Sequence, residues 1–258
     1  MDRAYWRSLF ASMPYALLSG LRQHGWKGGY LALAVFVFKR LWMPMEILPG
    51  IRLTNWREAA NYLDNFVLNE LRQPEVEKLI RETEGEVIEA GVNVGITTRW
   101  WLALNPAVHV IGLDMMQESL DYTGKCIGAL NQSSRWHPVV GAVGDSAGQM
   151  TVTFDDPLEG TNSLDNLQGG IQRTVEVNTV DAYLQRAPLR RPLLFKLDIE
   201  GHAAAALRGA SRLLQTVRWV VVEIHHEEEL SQSAALLTEK GFGLRHFHGR
   251  TMWWARLD

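Results

Sequence analysis

Beyond Gly85 the chain alternates short apolar runs, bounded by turn residues, with segments of helical period. Residues 86–88, 108–113, 193–197 and 219–224 read as strands, and residues 97–104, 116–130, 203–214 and 230–240 as helices. Such alternation dictates a doubly wound, mostly parallel α/β sheet, because each crossover helix must cover the sheet to return the chain in the same direction. Between the two blocks the period changes. Residues 150–154 and 174–178 read as strands, separated by residues 155–170, a polar stretch with several Gly, Asn and Asp. A loop this long inside a domain reads either as a pocket-shaping segment or as a surface excursion. A pair of strands closes the chain.

Charge divides the chain differently. Lys and Arg number 26 against 29 Asp and Glu, and this net charge of −3 gives no reason to expect nucleic-acid binding by phosphate neutralisation. With 47% hydrophobic residues over 258 positions, the chain is excluded from the disordered class and can bury a full core. The single cysteine, Cys126, offers neither an internal disulfide nor a zinc cluster, which implies a reducing, cytoplasmic setting. Residues 1–50, however, hold six basic and two acidic residues. Their apolar run, residues 30–38, falls far short of the roughly 20 residues a spanning helix needs. Nor do charged, apolar and small-residue zones follow the order of a signal peptide. The expected organisation is an N-terminal helical, apolar extension over residues 1–56 and a main domain over 57–258. The extension, basic and bearing tryptophans, is expected to pack on the main domain or on a second copy of the chain, with peripheral membrane contact as the other reading.

Two segments carry chemistry. In residues 87–95, Val-Ile-Glu-Ala-Gly-Val-Asn-Val-Gly, a buried strand ends in a turn that runs into a helix. Gly91 and Gly95 allow a sharp turn and a close ligand. Their spacing matches neither the phosphate-cradling P-loop nor the G-x-G-x-x-G of dinucleotide folds. Glu89 would repel phosphates but can hold a cationic amino group. The next strand ends in Asp114, placed about 20 residues after the turn, as an acidic group that takes both hydroxyls of a ribose should be. A nucleoside with a charged amino-acid tail and no phosphate describes S-adenosylmethionine better than NAD or ATP.

In residues 194–202, Leu-Phe-Lys-Leu-Asp-Ile-Glu-Gly-His, strand alternation puts Lys196, Asp198 and Glu200 on one face. Burying three ionisable groups requires mutual pairing or a ligand. Glu200 can equally belong to the turn into the helix at Ala203. Glu223 ends the following strand, and His225 beyond it can accept a proton near neutral pH. Asp198 and Glu223 offer oxygen ligands to a hard cation such as magnesium. The run Glu227-Glu228-Glu229 reads as the solvated first turn of a helix. His246 and His248 share a face of a late strand, but two histidines without a third ligand do not make a metal site.

These motifs, together with Thr179-Val180-Asp181-Ala182-Tyr183-Leu184 and Leu207-Arg208-Gly209-Ala210, resemble the FkbM-type family of S-adenosylmethionine-dependent methyltransferases over most of residues 86–240. The first motif of that family usually starts with Asp and reads Gly-Ala-Asn, where this chain has Glu89 and Val92. After Glu-Gly-His the family usually has a further Glu, where this chain has Ala203. The resemblance implies a class I methyltransferase domain behind the N-terminal extension. Glu89, Gly91, Asn93, Gly95, Asp114, Met115 and Val143 would hold the cofactor, and Asp198, Glu200, His202, Glu223 and His225 would serve catalysis. The implied reaction is O-methylation of a sugar, glycan or natural-product hydroxyl. A nucleotide-dependent oxidoreductase and a non-catalytic assembly module are the alternatives.

Overall fold

In a computed structural model the backbone is described for residues 3–38, 41–68, 71–159, 170–185 and 189–257, and side chains from residue 12 onward. Packing divides the chain into two compact units, Met1–Gln73 and Pro74–Asp258, so residues 57–73 go with the N-terminal unit.

The N-terminal unit opens with α1 (Arg3–His24) and α2 (Trp26–Phe36), followed by a hairpin of β1 (Met45–Leu48) and β2 (Ile51–Leu53) and by α3 (Trp56–Tyr62). Asn55 starts α3 by accepting the Glu58 N–H at 3.1 Å, an N-cap that satisfies one of the free donors of the first turn. A π-turn, Leu63–Val67, continues from α3. Ser19 reaches this turn through a 2.8 Å hydrogen bond to the Val67 carbonyl. Among the described residues no helix is long and apolar enough to cross a membrane.

The second unit runs α4 (Pro74–Glu82), β3 (Gly85–Ala90), α5 (Ile96–Leu104), β4 (Val108–Asp114), α6 (Gln117–Gly128), β5 (Trp136–Val140) and β6 (Ala142–Val143). It continues with β7 (Gly148–Phe154), β8 (Ile171–Asn178), α7 (Val180–Leu184), β9 (Pro192–Leu197), α8 (Ala203–Arg208) and α9 (Leu213–Thr216). β10 (Trp219–Glu223), α10 (Glu227–Glu239), β11 (Phe242–His248) and β12 (Thr251–Arg256) complete it. The main sheet has the order β11-β12-β10-β9-β3-β4-β5, parallel from β10 to β5, with β12 antiparallel to both its neighbours. This is the expected class I methyltransferase-like α/β fold. All six residues of β3 and of β9 are buried, including the charged Glu86, Glu89 and Lys196, so both strands lie inside the sheet. Fully buried Phe195, Val220 and Leu207 belong to one core cluster, each large side chain contributing about 1.5–3 kcal/mol by leaving water.

Strand order reverses between β3 and β9. β4 and β5 extend the sheet to one side and β10 to the other, so the carboxyl ends of β3 and β9 flank a switch point, where ligands of open α/β sheets bind. The two strands expected in the middle of the chain are β7 and β8, which pair antiparallel in a small sheet of order β6-β8-β7. Of the intervening residues 155–170, residues 160–169 lie outside the described ones.

The helix expected over residues 203–214 is broken. α8 stops at Arg208 because Gly209 lies against the backbone of Gly144, where a Cβ would come within 2.1 Å of the Gly144 oxygen. α9 restarts on Asp181, whose carboxylate accepts the N–H groups of Arg212 at 2.7 Å and Leu213 at 3.0 Å. Both causes come from distant segments.

Candidate functional site

The turn after β3 holds three left-handed residues, Gly91 (φ 84°), Asn93 (φ 52°) and Gly95 (φ 67°). Asp114, at the end of β4, fastens it. One carboxylate oxygen accepts the N–H groups of Val92 and Asn93 at 3.0 Å each, and the other accepts Met116 N–H at 2.8 Å. Burial raises the Asp114 pKa, and these backbone donors only partly offset it. The two glycines answer to different neighbours. A Cβ on Gly91 would lie 1.8 Å from the Asp198 carbonyl oxygen, whereas one on Gly95 would strike Thr123 at 2.4 Å.

Glu89 sits beneath the turn, fully buried, not on the cavity. It accepts hydroxyl hydrogen bonds from Thr97 and from Thr98 (2.5 Å), placing negative charge at the start of α5. The cation it holds is the chain's own Lys196, 3.4 Å away and directly across the β3–β9 register. Lys196 also reaches Asp198 at 3.2 Å and the Gly91 carbonyl at 3.0 Å. Burial disfavours its charge, but Asp198 and Glu89 outweigh that and raise its pKa. Strand alternation ends at Leu197, however, and Glu200 turns away with a left-handed φ of 48°.

Between the two strand ends lies a cavity with roughly 680 Å³ of empty space, its mouth included. Of the expected cofactor residues, Gly91, Asn93, Asp114, Met115 and Val143 line it, while Glu89 and Gly95 support it from outside. Asp198, Glu200 and His202 line it too, and Glu223 and His225 stand behind them. Sequence inspection missed Gly141, Ser119, Pro157 and Glu159. Gly141 carried a legible signal, a glycine following an apolar strand, and a Cβ there would meet the Tyr183 hydroxyl at 2.0 Å. Among the described residues the lining contains Asp114, Glu159, Asp198 and Glu200 but no Lys or Arg.

Behind the cavity the acidic groups are unequal. Glu223 is pushed up to about 8 by burial and by the adjacent charge of Asp198, with which it shares a hydrogen bond. Arg250, 2.9 Å from Glu223, offsets part of this. Burial also acts to raise Asp198, but Lys196, the Glu223 hydrogen bond and His225 hold it below the usual carboxylate range. His225 lies 3.2 Å from Glu200 and 3.8 Å from Glu229. Although burial works against its charge, hydrogen bonds to these two carboxylates lift it to about 10. The cluster thus biases His225 toward the imidazolium, Glu223 toward its protonated form and Asp198, on the cavity wall, toward the ionised form. Asp198, Glu200 and His225 each present a ligand atom within 4.8 Å of the others.

Glu229 corrects one sequence expectation. It is 1% exposed instead of solvated, because its carboxylate accepts the N–H groups of Ala203 at 2.8 Å and His225 at 2.9 Å. A carboxylate thus still stands at residue 203, delivered from α10. His246 and His248 stack with ring centroids 6.1 Å apart on an exposed edge.

Residues 86–244 match the family model described as the methyltransferase FkbM domain. A 96-residue stretch is 26% identical to the hexuronic acid methyltransferase AglP of Haloferax volcanii, covering 37% of this chain and 40% of that protein. The chain therefore matches under half the length of this curated relative. Among solved structures, the METTL16 methyltransferase domain is similar with a TM-score of 0.47 at 14% identity, over 100% of this chain and 93% of that one. Fibrillarin of Aeropyrum pernix, solved with natively bound S-adenosyl-L-methionine, has a TM-score of 0.44 at 10% identity, over 73% and 76%. Scores this low carry no weight beside the strand order.

Proposed function

The chain belongs to the methyltransferase FkbM domain family, and on that premise we propose that it transfers a methyl group from S-adenosylmethionine to a hydroxyl oxygen of a sugar or glycan. The observation that carries this reading is the switch-point cavity, walled by four carboxylates and free of Lys and Arg among its described lining residues. That lining suits a cationic nucleoside and opposes the phosphates of NAD or ATP. Asp114 fits the ribose: its three backbone donors leave acceptor capacity on a half-buried carboxylate that faces the cavity. The sugar class is supported by the hexuronic acid named for the Haloferax relative.

Bound S-adenosylmethionine would supply an activated methyl, its carbon–sulfur bond breaking as the acceptor oxygen takes the methyl group. The protein aligns the partners and removes one proton. Asp198 takes that proton, since its carboxylate stands at the cavity wall and is held toward the ionised form by Lys196. Glu223 and Lys196 fix its orientation from behind, and the His225 imidazolium balances the surrounding carboxylates. A second, more open cleft shares Val143 and His202 with the cavity and is lined by Asp145, Ser146 and Gln149, polar side chains suited to a hydroxylated acceptor. The Asp198, Glu200 and His225 cluster favours a second version of the chemistry. Asp198 and Glu200, with His225 after loss of its proton, would hold a divalent cation that lowers the pKa of the acceptor hydroxyl.

The test is mass detection of methylated product after incubation with labelled S-adenosylmethionine and a panel of hydroxylated glycans, including uronic acids. Asp198→Asn is expected to lower turnover by about a hundredfold or more with S-adenosylhomocysteine affinity retained. Activity that survives a chelator identifies Asp198 as a direct base; activity lost to the chelator and restored by magnesium identifies the cation. Full activity in Asp198→Asn contradicts both.

A further inference from the structure

Within the N-terminal unit one face of α1 is left uncovered. Ala16 and Gly20 turn inward, whereas Tyr15, Leu18 and Leu21 are 53%, 68% and 44% exposed. At 100° per residue, Tyr15, Leu18, Leu21 and Arg22 fall within an arc of about 120°. Trp26, at the turn into α2, is 67% exposed. Of the fourteen large hydrophobic side chains exposed among the described residues, eight lie between Tyr15 and Met43, so the exposure is concentrated.

The helices that carry this face are firmly held. A Cβ on Gly28 would lie 2.0 Å from the Gly20 oxygen, so α1 and α2 meet backbone to backbone. On the inner side, Ser19 bonds Val67 and the Tyr62 hydroxyl meets His24 at 3.2 Å. Charge is just as one-sided, because α1 and α2 contain four Arg or Lys and no Asp or Glu. Arg22 is exposed within that arc, and Lys27 follows Trp26, its ammonium bonded to the Glu46 carbonyl rather than to a carboxylate.

We propose that Tyr15, Leu18, Leu21 and Trp26 dock this unit on an anionic lipid surface. Apolar side chains enter the headgroup boundary, Trp is favoured at that depth, and Arg22 and Lys27 meet lipid phosphates. A second copy of the chain fits less well. Joining two such faces brings basic residues together, and neither helix has an acidic residue to pair with them.

Flotation of the 258-residue chain tests this, using vesicles of phosphatidylcholine alone and of phosphatidylcholine with phosphatidylglycerol. The protein is expected to float with the mixed vesicles, less with the neutral ones, and progressively less as salt rises. Leu18→Glu should lower the bound fraction about tenfold and Arg22→Glu about fivefold. Both variants should melt at the wild-type temperature, because both positions are exposed. Wild-type protein that stays behind in the mixed-vesicle gradient overturns the proposal, as does Leu18→Glu that floats undiminished. A dimer that Leu18→Glu splits, seen by light scattering, overturns it in favour of a second copy.

Discussion

Asp114 does two things with one carboxylate: it closes the turn after β3 through the Val92 and Asn93 amides and presents its remaining lone pairs to the cavity. Asp114→Ala therefore removes a ligand contact and also frees the turn, and it should weaken S-adenosylhomocysteine binding by about tenfold or more in calorimetry. Unchanged affinity would put the ribose elsewhere. The acidic strand end was legible because its spacing from Gly91 is local. The support it gives the turn was not, since a sequence does not show which backbone amides a carboxylate reaches. Glu89 makes the same point. Its charge was readable, but its cation arrives from β9, a strand adjacent only in space, and so the carboxylate expected to greet a ligand is buried against Lys196. At residue 203 the alanine was readable, but the Glu229 carboxylate that accepts its N–H was not.

At the scale of elements, the strands and most helices followed from apolar period, because β3, β4, β9 and β10 are mostly buried on both faces and their few charged residues interrupt the apolar runs only briefly. The break between α8 and α9 escaped the same reading, because helical period continues through it in the sequence. What stops the helix is the close approach of Gly144 to Gly209, and what restarts it is Asp181 from α7. Asp181→Ala should thus cost about 1–2 kcal/mol, the usual penalty for removing a capping side chain, measured by urea unfolding. A loss within about 0.5 kcal/mol, typical of a neutral surface substitution, would show that α9 is held by packing alone.

For the whole molecule, the charge cluster behind the cavity links stability to pH. Glu223 rises from an ordinary 4.5 to about 8, and His225 from 6.5 to about 10, so the folded state holds protons that the unfolded chain releases earlier. Their contribution is complete at pH values below 4.5 for Glu223 and below 6.5 for His225, and it is lost as pH climbs toward about 8 and about 10 respectively. The contribution of the two groups to the melting temperature should accordingly fall from about pH 4.5 to about pH 10, and Glu223→Gln should flatten the part of that fall below about pH 8. A melting temperature independent of pH across this window would mean that neither group is shifted by folding. The claim on which function rests is simpler: the acidic, phosphate-repelling cavity at the β3/β9 switch point holds S-adenosylmethionine. Calorimetric titration of the 258-residue chain with S-adenosylhomocysteine, and in parallel with NAD, tests it most directly. Saturable binding of S-adenosylhomocysteine to one site, with no heat from NAD, is expected; binding of NAD with none of S-adenosylhomocysteine would contradict the assignment.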